Sequence, residues 1–285
     1  MADGYLFYSE GRPDIPLYQI QVMQQQYPKI SVITPNYNQG AFLEQTLRSV
    51  LDQRYPNLEY IVIDGGSTDD SVTIIKEYQD RLQYWISEKD NGMYHALNKG
   101  FQKATGEIMC WINSDDVLCE GSLQFVAEIF TRHQEISWVQ GYPSVIDEKG
   151  ELLFQRDPVG TKAYFYRYQY RKDFSFIQQE STFWRRSLWE QAGEKLDTSF
   201  KLAADFELWL RFFTFQTLYC SKRQLAAFRK REGQVSENTK KYIEEADRAV
   251  KMHLKRMSLQ EIIRLKWARQ PKKTGIDTMN WIEDL

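Results

Sequence analysis

The sequence predicts an α/β protein with a mostly parallel sheet, flanking helices and a helical extension at its carboxyl end. Between residues 29 and 113, short β-branched segments alternate with segments whose apolar residues recur at helical spacing. This alternation is typical of parallel strands joined by helical crossovers. In addition, polar clusters follow three of the predicted strands, which is where such sheets bind ligands.

The predicted elements follow one another in a regular order. The strands are KISVITP, LEYIVID, LQYWISE and EIMCWIN, and the helices between them are NYNQGAFLEQTLRSVLDQ, DSVTIIKEYQD and MYHALNKGFQKA. Pro35 stops the first strand, and the Thr105-Gly106 pair ends the third helix. Apolar residues of each helix lie on one stripe, so each helix is expected to cover the sheet.

Beyond Leu118 the pattern is looser. LQFVAEIFTRH predicts a helix, SWVQGYPSVID a strand with a turn, and LAADFELWLRFF a strongly amphipathic helix. The aromatic run KAYFYRYQYRKDF has no clear period and is interpreted as a mobile loop, an acceptor-facing surface or core packing. We divide the chain into an irregular segment 1–28, an α/β domain 29–239 and a helical extension 240–285.

The composition is that of an ordinary globular protein. The 285 residues carry a formal net charge of −2, which gives no argument for a nucleic-acid partner. Three cysteines without metal-ligand spacing fit a reducing cytoplasm. The start of the chain, MADGYLFYSEG, lacks the apolar core of a secretory signal, and no apolar run is long enough to span a bilayer. We therefore expect a cytoplasmic protein that is at most peripheral to a membrane.

The three polar clusters are PNYN, DGGSTD and NSDD, ending at Asn38, Asp69 and Asp116. They follow the first, second and fourth strands, so they are expected to share one edge of the sheet. Carboxylate and amide oxygens there could hold Mg²⁺ or Mn²⁺ together with a phosphorylated ligand. The glycines of the second cluster would let the backbone approach that ligand closely.

These motifs support a resemblance. The segments PKISVITPNYNQGAFLEQTLRSVLDQRYPNLEYIVIDGGSTDDS and ISEKDNGMYHALNKGFQKATGEIMCWINSDD resemble family 2 glycosyltransferases of the Rossmann-like GT-A fold. Within that family the sequence is most similar to bacterial enzymes that build O-antigen, capsule and other surface polysaccharides. The resemblance extends over roughly residues 29–240.

The resemblance implies a site for a nucleotide-sugar donor. The residues that match the donor segments are Thr34, Pro35, Tyr37, Asp64, Asp90, Gly92, Asn98, Asn113, Ser114, Arg229 and Arg231. Members of the family often carry a second aspartate where this chain has Gly65. Arg229 and Arg231 fall where the family closes a loop over the diphosphate, a role for which guanidinium groups are suited; both could equally be solvated surface charges.

The resemblance also implies a divalent metal, Mn²⁺ or Mg²⁺. NSDD matches the family's Asp-x-Asp motif, whose last aspartate meets the metal on the donor diphosphate, and that position is Asp115. Asn113 replaces the first acid, so a weaker or water-mediated metal contact is expected. Asp116 is either a further ligand or a cap of the next helix.

On the acceptor side, the resemblance places the general base at Asp205, in the segment AADFELWLR. Glu207 lies two residues on and is expected to face elsewhere. The segment FIQQESTFWRRSLW is similar to the acceptor-side segment and supplies Gln178, Gln179 and Glu180. His95 is either a structural histidine or a wall of the acceptor pocket.

The resemblance therefore predicts an inverting hexosyltransferase that moves one sugar, from a UDP-sugar, to a growing glycan or a lipid-linked oligosaccharide. Two other functions were weighed, a sugar nucleotidyltransferase and a non-catalytic module that binds nucleotide sugars. The first would need a basic residue in the loop PNYNQGAF, and the second would be expected to lose Asp115 or Asp205. The tail around Ile263 and Trp267 either lies on an anionic membrane or packs against protein.

Overall fold

The computed structural model describes residues 27–234, 238–267 and 280–282. The predicted segment 1–28 therefore lies almost wholly outside the described residues. In the described part of the chain the strands are β1 Ile30–Asn36, β2 Leu58–Asp64, β3 Tyr84–Ser87, β4 Ile108–Trp111, β5 Val117–Leu118, β6 Trp138–Gln140, β7 Ser144–Ile146, β8 Leu152–Gln155, β9 Thr182–Arg185, β10 Tyr219–Cys220, β11 Ala226–Arg229 and β12 Asn280–Trp281.

The larger sheet has the strand order β12-β10-β6-β9-β4-β1-β2-β3. β1 pairs in parallel with β2 on one side and β4 on the other, and β3 continues the parallel set beyond β2. β9 runs antiparallel to both β4 and β6. The predicted mostly parallel sheet is thus confirmed. All seven residues of β1 are buried, as expected of a central strand covered on both faces.

The helices cover this sheet. They are α1 Gly40–Leu51, α2 Ser71–Tyr78, α3 Met93–Lys103, α4 Ser122–Arg132, α5 Lys162–Tyr166, α6 Tyr170–Asp173, α7 Arg186–Gln191, α8 Ala204–Phe215, α9 Thr239–Leu254 and α10 Leu259–Trp267. α3 packs on β1 and β2, and α1 packs on α2. Gly100 lets α3 approach closely, because a Cβ there would lie 2.5 Å from Ile33.

Two segments differ from the sequence prediction. The helix α8, predicted to be strongly amphipathic, is buried on most sides because it lies between the sheet and the later helix α9. Its Trp209 stacks on Trp111 and Trp138 of the sheet. The aromatic run is not a mobile loop. It forms α5 and α6, and Phe165 and Tyr170 are buried against Phe206.

A smaller sheet has the order β5-β11-β7-β8. β11 pairs antiparallel with β5 and in parallel with β7. β5 directly follows the NSDD motif, so this pairing places the end of β11, at Arg229, beside that motif.

The helical carboxyl-terminal region is present but is not helical throughout, since β12 adds an edge strand to the larger sheet. α9 packs on α8, and α10 contacts α5 with one face while Leu259, Ile263 and Trp267 stay exposed. Within the described ranges, no helix has the length and apolar character to cross a bilayer.

At the edge of the sheet where β1 and β2 begin, a buried carboxylate joins several segments. Glu59 accepts hydrogen bonds from the hydroxyl groups of Ser31 and Thr105 and from the N–H of Thr105, and it pairs with Lys29 at 3.2 Å. Burial opposes its charge, but these donors hold the pKa of Glu59 below its usual value. Glu59 thereby fixes the start of β2 against β1 and the turn before β4.

We expect Glu59→Gln to lower the free energy of unfolding by about 1–3 kcal/mol, because an amide leaves buried donors unpaired. Urea unfolding at pH 7 would measure the loss, with Glu190→Gln on the exposed surface of α7 as the matched control. Because the folded-state pKa is lowered, the contribution of Glu59 is present above the ordinary pKa of 4.5 and is lost as pH falls. Equal midpoints for wild type and Glu59→Gln at pH 7 would contradict this role.

Candidate active site

The carboxyl ends of β1, β2 and β3 meet around the buried carboxylate of Asp64. Its Oδ1 accepts hydrogen bonds from the Asn36 amide at 2.7 Å and from the Ser67 hydroxyl. Its Oδ2 accepts the N–H groups of Gly66 and Ser67, at 3.1 and 2.9 Å, and the Ser87 hydroxyl at 2.6 Å. Burial opposes the charge, but these donors hold the pKa of Asp64 below its usual value. Asp64 therefore shapes the loop that follows β2.

The other predicted donor residues on β1 differ in their exposure. Thr34 is fully buried, and its hydroxyl shares a hydrogen bond with the hydroxyl of Tyr60 at 2.9 Å. Pro35 is buried as well. Tyr37, at the end of the strand, is 60% exposed. Of these three, Tyr37 has the side chain that a ligand could reach.

The loop after β3 comes close to the loop after β2. Asp90 accepts the N–H of Gly92 at 2.7 Å, and a Cβ at Gly65 would lie 2.8 Å from the other Asp90 oxygen. Glycine at position 65 therefore makes room for Asp90. Asn98 is bound through both ends of its amide to the backbone of Leu196, at 3.0 and 2.8 Å, so in this structure it joins α3 to the segment before α8.

The NSDD motif lies beyond β4, and Asp115 is its partly exposed acid. Asp115 Oδ2 accepts a hydrogen bond from Arg231 Nε at 3.0 Å and a longer one from Gln234 at 3.4 Å. Gln234 also donates to the carbonyl of Arg229 at 2.6 Å, which holds the segment after β11 against the motif. The candidate metal ligand Asp115 and the candidate diphosphate ligand Arg231 are therefore in direct contact.

Asp116 is fully buried behind this contact. Its two oxygens accept the backbone N–H of Arg229 at 2.8 Å and the side-chain amide of Asn113 at 3.1 Å. Burial, followed by the negative charges of Asp115 and Glu180, raises the pKa of Asp116 well above its usual value. The cap predicted for Asp116 is wrong, because α4 begins only at Ser122, after Gly121. Ser114 is also buried.

Arg229 has no exposed surface, and protein acceptors engage its guanidinium on all three nitrogens. It donates to the carbonyl of Asp115 at 2.7 Å, to the carbonyls of Asp147 and Glu148 at 2.9 Å, and to the side chain of Gln45 at 2.7 Å. This arrangement favours a supporting role behind the site over the predicted contact with the donor. Arg231 is partly exposed, so its contact with the donor diphosphate stays a prediction.

Whether these residues suit a divalent cation depends on the oxygens that they offer. Asn113 Oδ1 is buried without a hydrogen-bond partner, and Asp115 carries a partly exposed carboxylate two residues on. Across the described ranges, three or more His, Cys, Asp or Glu side chains do not converge into a metal site. The two oxygens fit a cation that also takes ligands from a bound phosphate, as Mg²⁺ commonly does.

Asp205 stands at the start of α8 and is partly buried. The hydroxyl of Tyr242 lies 3.2 and 3.1 Å from its two oxygens, and the hydroxyl of Tyr94 lies 3.5 Å from Oδ1. Burial raises the pKa of Asp205 to about 6, against the lowering effect of the N–H of Phe206 and of Tyr242. A carboxylate with a pKa near neutrality can accept a proton and release it again.

The acceptor-side candidates Gln178, Gln179 and Glu180 come directly before β9. Glu180 is 3% exposed, with Oε1 lacking a partner, and burial raises its pKa to about 8. It interacts electrostatically with both Asp116 and Asp205. Gln179 is buried and donates to the carbonyl of Trp111, whereas Gln178 donates to the carbonyl of Ser144.

Two predictions concern the surroundings of these acids. His95 is partly buried with Nδ1 unpartnered, which leaves both of its interpretations open. Glu207 faces away from Asp205 as predicted, and it contacts Arg211 at 2.9 Å and His253 at 3.3 Å.

Sequence reasoning missed four residues that complete the site. They are Tyr94 and Tyr242, which contact Asp205, Gln234, which contacts Asp115, and Glu245, which accepts backbone N–H groups just before Asp205. No local motif marks them. Tyr242 and Glu245 lie on α9, whose apolar spacing indicates a helix but gives no sign of contact with Asp205.

The comparisons with known proteins agree with this architecture. The sequence model for glycosyl transferase family 2 matches residues 31–191, more than half of the chain. An uncharacterized glycosyltransferase of Rickettsia typhi is 27% identical over 251 residues, covering 84% of this chain and 76% of that protein. The putative teichuronic acid biosynthesis glycosyltransferase TuaG of Bacillus subtilis is 38% identical over 92 residues, covering 31% of this chain and 36% of that protein.

Among solved structures, S. aureus TarS in complex with UDP-GlcNAc superposes with a TM-score of 0.60 at 19% identity, covering 74% of this chain and 61% of that one. This likeness supports the GT-A fold. The family model and the relatives named as glycosyltransferases show that this protein is a glycosyltransferase. The chain belongs to glycosyltransferase family 2.

The raised pKa of Asp205 gives a prediction about stability. The folded chain holds the proton of the Asp205 carboxyl more tightly than the unfolded chain does. The contribution of Asp205 to the free energy of unfolding therefore falls as pH rises from about 4 to about 6. We expect Asp205→Asn, which cannot ionise, to be more stable than wild type above pH 6, by about 1–2 kcal/mol. Melting temperatures from pH 4 to 8 would measure this, with the exposed Asp70→Asn as the control. A difference between Asp205→Asn and wild type that does not change with pH would contradict the assignment.

Proposed function

We propose that this protein is an inverting glycosyltransferase that moves one sugar from a UDP-sugar to a growing glycan or lipid-linked oligosaccharide in surface polysaccharide biosynthesis. The observation that carries the proposal is the pair of acidic centres, one in the NSDD motif and one at the start of α8. One is Asp115, held next to Arg231 at 3.0 Å, and the other is Asp205, a carboxylate with a pKa of about 6. The first suits a donor diphosphate, and the second suits removal of a proton from an acceptor.

On the donor side, we assign the nucleotide to the loops after β1, β2 and β3. Tyr37 is exposed at the end of β1, where its ring could stack on a base, and Asp64 keeps the adjacent loop in shape. Asp90 and Gly92 form the neighbouring turn. The choice of UDP is supported by the GT-A neighbour TarS, whose structures contain UDP-GlcNAc and UDP.

We assign the divalent metal to Asp115 and the unpaired oxygen of Asn113, together with the donor diphosphate. When bound, Mn²⁺ or Mg²⁺ would supply positive charge against the leaving diphosphate. Arg231 offers a second positive charge at the same place, and its fork geometry suits phosphate oxygens. With one carboxylate and one amide, this chain should bind the metal weakly unless the donor is present.

On the acceptor side, we assign the general base to Asp205. An acceptor hydroxyl attacks the anomeric carbon of the donor sugar, its proton passes to Asp205, and the bond to the diphosphate breaks. Attack from the face opposite the diphosphate inverts the anomeric centre. Burial raises the pKa of Glu180 to about 8, which favours its protonated form, and we assign Glu180 and Gln178 to the acceptor.

The experiment that tests this proposal combines binding and transfer. Melting temperatures with UDP, GDP, dTDP and CMP, each with and without Mn²⁺, should show stabilisation by UDP that increases with the metal, because a ligand of the native state raises its stability. Asp115→Asn should lose the increase given by Mn²⁺. Asp205→Asn should keep donor binding but lose sugar transfer by about 10²–10⁴-fold, the usual contribution of general base catalysis.

Asp205→Asn is the matched control for Asp115→Asn, because each removes one carboxylate from a different half of the site. Donor binding without transfer to any acceptor in a panel of lipid-linked glycans would favour the non-catalytic binding module instead. Stabilisation by UDP that is equal with and without Mn²⁺ would refute the metal assignment. Transfer that survives Asp205→Asn would refute the base.

We further propose that α10 contacts the cytoplasmic face of an anionic membrane. Leu259, Ile263 and Trp267 recur every fourth residue, which puts them on one face of the helix, and they are 73%, 45% and 84% exposed. Arg264 and Lys266 are exposed on the same helix. An apolar face flanked by cations is typical of helices that lie in the interface of an anionic bilayer.

Sedimentation with lipid vesicles tests this contact. We expect binding to vesicles that contain phosphatidylglycerol and little binding to pure phosphatidylcholine, because the cations need anionic headgroups. Ile263→Ser with Trp267→Ser should weaken the binding by about tenfold. The matched control is Leu152→Ser with Leu153→Ser, which removes two exposed apolar side chains from β8. Equal effects of the two pairs would contradict the proposed membrane face.

A further inference from the structure

Helix α9 holds the segment around Asp205 through several polar contacts. The carboxylate of Glu245 accepts the N–H groups of Lys201, Leu202 and Ala203 at 2.8 to 3.0 Å. Arg248 donates to the carbonyl of Ser199 at 2.9 Å. α9 therefore fixes the backbone immediately before the aspartate that begins α8.

The same helix also reaches the carboxylate itself. The hydroxyl of Tyr242 lies 3.2 Å from Oδ1 and 3.1 Å from Oδ2 of Asp205. The second phenol nearby, Tyr94, has its hydroxyl 2.7 Å from the carbonyl of Leu202 and 3.5 Å from Asp205 Oδ1. A hydroxyl has one proton to donate, so Tyr94 gives its proton to Leu202 and Tyr242 gives its proton to Asp205.

We propose that Tyr242 is a positioning residue for the base: its hydroxyl orients the carboxylate of Asp205 and favours the ionised form that can accept the acceptor's proton. This inference rests on the proposed function, in which Asp205 is the base. With this role for Tyr242, helix α9 contributes a residue to the candidate active site. Tyr242 acts through Asp205 and is not assigned a contact with either substrate.

The groups around Asp205 explain why one hydrogen bond matters. Partial burial disfavours its charge and raises its pKa to about 6. Glu180 interacts with it as a second acid, and Glu245 on α9 is occupied by backbone amides. Apart from Tyr242, the stabilising donors are the N–H groups at the start of α8 and the distant Tyr94 hydroxyl. Removing the Tyr242 hydroxyl would leave the effect of burial less opposed, and the pKa should rise.

The test compares Tyr242→Phe with Tyr94→Phe, which removes a phenol that donates elsewhere. The phenylalanine at position 242 keeps the edge-to-face contact with Phe176, whose ring centroid lies 4.7 Å away. In the pH profile of kcat/KM, we expect the acidic limb of Tyr242→Phe to move up by about one unit, as loss of a hydrogen bond to a charged group implies. That of Tyr94→Phe should move less, because the Tyr94 hydroxyl donates to Leu202 and lies 3.5 Å from Asp205.

A second readout does not depend on turnover. Titration of the Asp205 carboxyl carbon by ¹³C NMR, assigned with Asp205→Asn, should show the same rise of about one unit in Tyr242→Phe. An unchanged carboxyl titration in Tyr242→Phe would overturn the inference and leave Tyr242 a packing residue. If wild type transfers no sugar, the proposed function fails, but the NMR titration still decides whether Tyr242 sets the charge of Asp205.

Discussion

The parallel pairing of β1 with β2 and β4 is the constraint on which the candidate site depends. In register, Asn36 at the end of β1 lies beside Asp64 at the end of β2, and Ile33 lies beside Trp111 of β4. Parallel strands end at the same edge, so three loops that are distant in the sequence meet there. The smaller sheet then brings β11 to this edge through β5, which adds Arg229 and Arg231 to the NSDD motif.

Burial opposes the charge of each carboxylate in the candidate site, and hydrogen-bond donors offset this effect to different extents. Asp64 is buried but accepts several donors, so its pKa is lowered and it stays ionised. Asp116, Glu180 and Asp205 have fewer donors, and burial raises the pKa of each. The acid with many donors is thus held in its charged form, while burial favours the protonated form at the three acids with fewer donors. Perturbed acids of this kind cluster at functional sites, in keeping with a family 2 glycosyltransferase.

The described carboxyl-terminal helices contact the segment around Asp205 and also expose apolar side chains to the surroundings. α9 packs on α8 and brings Tyr242 and Glu245 to the segment around Asp205, while α10 leaves an apolar face exposed. Under the proposed function, α9 would connect the base Asp205 with the membrane-contacting helix α10. The order of the chain, with α9 directly before α10, makes this connection short.

The sequence by itself determined the alternating strands and helices, the edge that carries the site, and the family, because period and turn residues are local and the motifs are contiguous. It also placed Asp64, Asp115 and Asp205 at strand and helix ends. Only the tertiary structure decided which groups surround them. Packing between distant segments decides that Arg229 is buried and that Gly65 makes room for Asp90. It also brings Tyr242 to Asp205, 37 positions away in the sequence. Such contacts leave no periodic trace in the chain, since each joins single residues that are far apart in the sequence.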